Sequence, residues 1–177
     1  MTTTPKYKAK AVFWDTEKQT VIDKSEVERY RVKNRLKLPN TIARFDSQHE
    51  FKVYLELCRM YGADRVIRQF PVEIFPKGIC YPKGKHWKVD FAIKSNGRLP
   101  TIFAFVEAKG AFLPEFAHTL AALEWSEPDV FNSLIVVFGN SIPTENKVIT
   151  SLLNSDFNCR LLTFKELQGS CYLPSPL

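Results

Sequence analysis

Clustered metal ligands of the soft kind are missing from this chain. Its three histidines are scattered, and so are its four cysteines, Cys58, Cys80, Cys159 and Cys171, with no C-x-x-C pair among them. Zinc sites need four such ligands brought together by short spacings, so this pattern argues against zinc chemistry. The cysteines read as reduced thiols, at least two of them core residues. No apolar run approaches the ~18 residues of a membrane-spanning helix. The opening Met-Thr-Thr-Thr-Pro-Lys has none of the apolar stretch of a signal peptide, and a cytoplasmic protein is expected, from a bacterial, archaeal or phage-infected cell. Repeats and low-complexity tracts are absent too.

What is present is an ordinary globular composition, with 45% hydrophobic and 25% charged residues. A length of 177 residues accommodates one domain with a sizeable core and a modest extension. The charge is unevenly placed. Residues 1–44 hold eleven Lys/Arg against five Asp/Glu, whereas the remainder holds fourteen of each, so the net +6 lies wholly in the N-terminal segment. Such a segment suits a polyanion, with Lys6, Lys8, Lys10, Arg29, Arg31, Lys33, Arg35 and Lys37 as phosphate contacts and Tyr7 and Trp14 as surfaces for base stacking. The alternative is a solvated tail.

The expected organisation is a basic extension over 1–44 and a folded domain over 45–177. Short apolar patches at 11–14 and 21–22 suggest a small hairpin, followed by a basic stretch from Arg29 to Lys37. Phe51, Tyr54, Leu55, Cys58 and Tyr61 fall at helical spacing, with Gly62 as the stop. Strands are expected over 65–75, 86–94 and 101–109, the first interrupted by Pro71 and so an edge or bulged strand. A helix over 114–125, a buried strand over 133–138, a short helix over 145–153 and a strand over 160–164 complete the series. The order α-β-β-β-α-β-α-β makes this an α/β domain, a mixed sheet flanked by helices.

Two features break the apolar pattern of the strands. Asp90 sits inside Trp87-Lys-Val-Asp-Phe-Ala-Ile93, and Glu107 and Lys109 end the most apolar strand, Ile102-Phe-Ala-Phe-Val-Glu-Ala-Lys109. Alternation puts Glu107 and Lys109 on one face, about 7 Å apart along the strand. Carboxylates in such surroundings are costly unless paired or bound to a cation. Two of them on neighbouring strands beside a lysine suit Mg²⁺. Each residue taken alone fits a plain ion pair better, but the set in this order does not.

The set D-x(n)-E-x-K on consecutive strands, after a helix that opens with an acidic residue, resembles the PD-(D/E)xK nuclease superfamily. Asp90, preceded by Val89 rather than proline, matches the first motif position, Glu107 the second and Lys109 the third. Phe45-Asp-Ser-Gln-His-Glu50, Gln69-Phe-Pro71, Val89-Asp-Phe91 and Glu107-Ala-Lys-Gly110 together are similar to small phage-type nucleases and transposon end-cleaving endonucleases.

The resemblance implies a restriction-endonuclease-like core and Mg²⁺-dependent hydrolysis of DNA phosphodiesters, with Mn²⁺ as a substitute ion and no small-molecule cofactor. It further implies transposon-end, phage or junction-type DNA processing. Asp90, Glu107 and the Ala108 backbone carbonyl are then metal ligands and Lys109 the catalytic lysine. Glu50 keeps two readings, a metal-site carboxylate or the capping-box partner of Ser47. Gln69 contacts the nucleophile or a phosphate, or is a plain sheet glutamine. One site of this kind cuts one strand, so a double-strand cut calls for a homodimer or for a partner recombination or packaging protein. The alternative is a catalytically silent nucleic-acid-binding or assembly protein that keeps the fold.

Overall fold

The computed structural model describes residues 10–33, 38–96, 101–155 and 159–169. The chain divides into two compact units, the first ending at Lys52 and the second beginning at Val53. The division falls later than the fall in charge after residue 44, because residues 45–52 add apolar rings to the first unit.

In that unit β1 (Val12–Asp15), β2 (Thr20–Ile22) and β3 (Ile42–Phe45) form an antiparallel sheet in the order β2-β1-β3. The β1–β2 hairpin is the expected one. The Asp15 carboxylate closes it by accepting the backbone N–H groups of Glu17 and Lys18, both at 3.0 Å. Helix α1 (Lys24–Lys33) follows, its first turn held by the Asp23 carboxylate, which accepts from Ser25 N–H at 2.8 Å. Its single buried residue, Val27, packs with Ile22 and Ile42, and Phe13, Tyr30 and Leu38 surround them. Trp14 is half-buried with its ring 5.2 Å from Phe51, which lies 5.1 Å from Phe45. Residues 10–33 and 38–52 are therefore a folded unit with its own small core, not a solvated tail. Trp14 serves that packing rather than base stacking. Tyr7, Lys6, Lys8, Arg35 and Lys37 lie outside the described residues.

Helix α2 (Gln48–Tyr61) starts at Ser47, whose Oγ accepts the Glu50 N–H at 3.0 Å. It stops at Gly62, where φ is 88°, a conformation open to glycine at little cost. The second unit is built on β4 (Val66–Phe75), β5 (Lys85–Lys94), β6 (Ile102–Lys109), β7 (Leu134–Phe138) and β8 (Arg160–Thr163), in sheet order β4-β5-β6-β7-β8. The first three strands run antiparallel, while β6-β7 and β7-β8 are parallel. The sheet is thus mixed, as expected, and β4 is an edge strand that tolerates Pro71.

The parallel half needs crossovers, which are supplied by α3 (Pro114–Ser126) with α4 (Pro128–Asn132), and then by α5 (Lys147–Leu153). Pro114 sits at the first position of α3, where its missing N–H costs nothing, and Phe116, Leu120 and Leu123 form its buried stripe. Asn146 caps α5, accepting from Val148 and Ile149 N–H. A short helix, α6 (Phe164–Gly169), ends the described chain. The β7 run Leu-Ile-Val-Val-Phe is buried throughout, as a strand paired on both sides and covered by helices must be.

Cys159 is buried, Cys58 half-buried and Cys80 exposed, all three as free thiols, and Cys171 lies outside the described residues. Among the described residues no helix is long and apolar enough to cross a membrane.

Candidate active site

Strand pairing assembles the polar cluster. Phe91 pairs with Val106, and extending that register by one step sets Asp90 opposite Glu107. On the other side of β5, Arg68 pairs with Phe91 and Phe70 with Val89, so Gln69 stands opposite Asp90. Gln69, Asp90 and Glu107 therefore occupy one level across three neighbouring strands, with Lys109 two residues along the face of Glu107.

The contacts are reciprocal. Asp90 N–H donates to Glu107 Oε2 at 3.0 Å, and Ala108 N–H donates to Asp90 Oδ2 at 2.9 Å. Gln69 Nε2 reaches Asp90 Oδ1 at 3.4 Å. Lys109 Nζ donates to Glu107 Oε1 at 2.6 Å. Each carboxylate is thus aimed by a backbone amide of the adjoining strand, and the separation of Asp90 from Glu107 is fixed by the sheet rather than by flexible side chains. The contact made by Ala108 is through its N–H.

Glu107 is only 3% exposed. Burial, and then the Asp90 charge, push its carboxyl up to about 7, while Lys109 pulls the other way without cancelling the shift. The lysine is itself held. Its Nζ lies 4.4 Å from the Phe116 ring centroid, so α3 supplies an aromatic face beneath the ammonium. Phe116 was not a candidate from the sequence, where it reads as core. A pocket of about 210 Å³ opens beside Lys109, lined also by Trp87, Leu113, Phe116 and Thr119.

Gln69 has a backbone φ of 52° in the middle of a strand, a left-handed conformation that a non-glycine residue rarely adopts. Strain of this kind costs about 1–3 kcal/mol, and it coincides here with the contact to Asp90. Gln69→Gly is expected to raise the unfolding free energy by about 1 kcal/mol, since glycine adopts this φ freely but loses more chain entropy. Denaturant unfolding measures it; a loss of stability would mean that the glutamine side chain contributes more than its backbone costs.

Glu50 belongs to the first unit. Its Oε2 accepts the Asp46 N–H at 2.7 Å while its own N–H donates to Ser47, so it caps the start of α2. Among the described residues, no group of three or more Asp, Glu, His and Cys side chains is gathered as a metal cluster. Gln69, Asp90, Glu107, Ala108 and Lys109 meet, and Glu50 has a capping role in its own unit.

The basic residues described in the first unit are mostly open to solvent. Lys10, Arg29 and Lys33 are exposed. Arg31 is partly engaged, bonded to Glu28 Oε1 at 3.1 Å and lying over the Phe13 ring at 5.9 Å. No protein-family model, curated protein or solved structure matches the chain.

Proposed function

We propose that this protein is a metal-dependent DNA endonuclease of the PD-(D/E)xK type, with Asp90, Glu107 and Lys109 as its active site and a restriction-endonuclease-like core. The observation that carries the reading is the Asp90–Glu107 pair. Two carboxylates are locked at one level of a sheet, one of them buried and only partly neutralised by Lys109. The donor set fits a hard divalent cation such as Mg²⁺ or Mn²⁺, which is commonly held by one or two carboxylates together with waters and substrate phosphate oxygens.

When bound, such an ion supplies Lewis acidity toward a phosphodiester and lowers the pKa of bound water. The chain's own residues do the rest. Asp90 and Glu107 would hold the ion, with the Ala108 carbonyl as a further donor. Lys109, seated on Phe116, presents a positive charge to the phosphoryl oxygens as negative charge grows on them. Gln69 orients Asp90. Glu50, which caps the start of α2, is proposed as a further metal-site carboxylate, direct or through water.

The test is cleavage of duplex, single-stranded and branched DNA by the purified chain. Activity is expected with Mg²⁺ or Mn²⁺, none with chelator, and little with Ca²⁺, a larger ion with looser geometry. A second reading has one observation in its favour. The network is already closed without a cation, because Lys109 sits on Glu107 and the Asp90 amide on its other oxygen. That suits a silent nucleic-acid-binding or assembly protein. Absence of cleavage on every DNA form, with no Mg²⁺-dependent rise in melting temperature, would favour it.

The first unit is proposed as a DNA contact through Lys10, Arg29 and Lys33. Arg29→Gln and Lys33→Gln are each expected to flatten the log–log salt dependence of duplex binding by about 0.9. Arg31→Gln is expected to cost stability as well, through lost packing on Phe13. An unchanged salt slope in the Arg29/Lys33 double variant would remove this face from the DNA contact. DNA is the partner this reading calls for; a homodimer or a recombination or packaging protein enters it only where both strands are cut.

A further inference from the structure

A groove of about 640 Å³ runs along α3 and the end of β4 and shares Glu115 and Thr119 with the pocket beside Lys109. The two depressions are therefore neighbours on the same face of α3. Its lining is unusual in what it leaves open. Trp125, on the same helix whose Phe116, Leu120 and Leu123 are buried, is 89% exposed. Across the groove the Phe75 and Tyr81 rings stack at 5.1 Å with only 5° between their planes. Lys85 Nζ is 5.8 Å from one centroid and 5.9 Å from the other. The ammonium is thus about equally close to both rings of the stack. Tyr81 is 40% exposed, so a flat ligand can reach it.

A lone exposed aromatic needs no explanation. Here an indole and a stacked pair face one groove, and an ammonium stands against the stack. Lys85 lines it, Lys77 and Lys83 are exposed on the same β4–β5 connection, and Glu115 is the acidic side chain of the lining. Planar aromatic platforms flanked by cations are what a strand of unpaired nucleotides requires. Bases stack on the rings whatever their sequence, and phosphates follow the ammonium groups.

We propose that this groove binds single-stranded nucleic acid, with bases on Trp125 and Tyr81 and a phosphate at Lys85, and delivers the strand to Lys109. This deepens the nuclease reading and rests on it for the scissile end alone. It assigns the substrate an unpaired stretch beside the cut, as at a branch, a flap or a frayed end. A hydrophobic peptide would use the same rings but has no need of the Lys85 ammonium beside them.

The test is anisotropy of a labelled oligothymidine of about ten nucleotides, titrated with the full chain in chelator so that nothing is cut. Trp125→Ala and Lys85→Ala are each expected to weaken binding about tenfold or more, Trp125→Phe to restore most of it, and a blunt duplex to be affected much less. Melting curves should stay unchanged, because Trp125 has little burial to lose. Unaltered oligothymidine affinity in both alanine variants overturns the proposal, and so does a parent protein that fails to bind the oligonucleotide, including one whose groove takes up peptide instead. Failure of the nuclease reading looks different. Cleavage would then be absent while the groove variants still lose binding.

Discussion

Glu107→Gln is expected to eliminate Mg²⁺-dependent DNA cleavage, by about 10³-fold or more, while leaving the metal-free fold at least as stable as the parent at pH 8. The two effects come from one property. Glu107 is buried beside Asp90, and ionising it in the folded chain is unfavourable. A carboxyl lifted to about 7 costs the metal-free fold on the order of 3 kcal/mol once it is charged. The amide removes that cost, keeps an oxygen for the Asp90 N–H, and releases Lys109, whose side chain is 26% exposed and can turn to water. Asp90→Ala should be equally inactive but less stable, by about 1–3 kcal/mol, because the Ala108 N–H loses its acceptor. Single-turnover cleavage together with urea unfolding in chelator measures both variants. Parent-like cleavage by either one removes that residue from the site, and severe unfolding of the glutamine variant would make Glu107 a structural ion-pair partner.

The site was legible because its residues violate the pattern around them. A carboxylate amid Val89, Phe91 and Ile93, and another after Ile102-Phe-Ala-Phe-Val106, can be found from burial cost alone. The α/β order and mixed sheet followed from periodicity, since α3, β6 and β7 bury continuous apolar stripes or runs. What stayed hidden depends on tertiary partners. Helix α1 has one buried residue and too little apolar periodicity to announce itself; it is held by Val27 against Ile22 and Ile42, which come from two different strands. The left-handed Gln69 has no local signal, since nothing about the residue requires it. The Phe116 face under Lys109 exists only because α3 folds back onto the sheet. The basic segment points to Trp14 as an aromatic surface, but that ring packs on Phe51, whereas the exposed indole is Trp125, at the end of a helix whose Phe116, Leu120 and Leu123 are core.

In chelator the unfolding free energy is expected to fall as pH rises from about 5 to about 7.5, and Mg²⁺ is expected to restore it only at the upper end. The sign follows from Glu107. Its folded carboxyl holds a proton up to about 7, against an ordinary value of 4.5, so between those values the folded state binds more protons than the unfolded one. Stability from this group is complete below 4.5 and is lost as pH climbs through 7, up to the same few kcal/mol in order of magnitude.

Groups shifted the other way act elsewhere on the scale. Asp15, held by the Lys18 and Glu17 amides, Asp23 by Ser25, and Glu166 by Thr163 all lie below their ordinary values, and their stability is lost only as pH falls through the acid range. A divalent cation competes with the proton on Glu107. At pH 5 most of this carboxyl is protonated and added Mg²⁺ should barely move the melting temperature, whereas at pH 8 it should raise it by several degrees. Glu107→Gln should flatten the pH dependence and abolish the Mg²⁺ effect together. Thermal melts of both proteins at pH 5 and pH 8, with Mg²⁺ and with chelator, give the result. Equal stabilisation by Mg²⁺ at the two pH values, or a pH slope that survives in the glutamine variant, would detach the cation from this carboxylate. The Lys109 ion pair would then be the whole of the cluster's electrostatics.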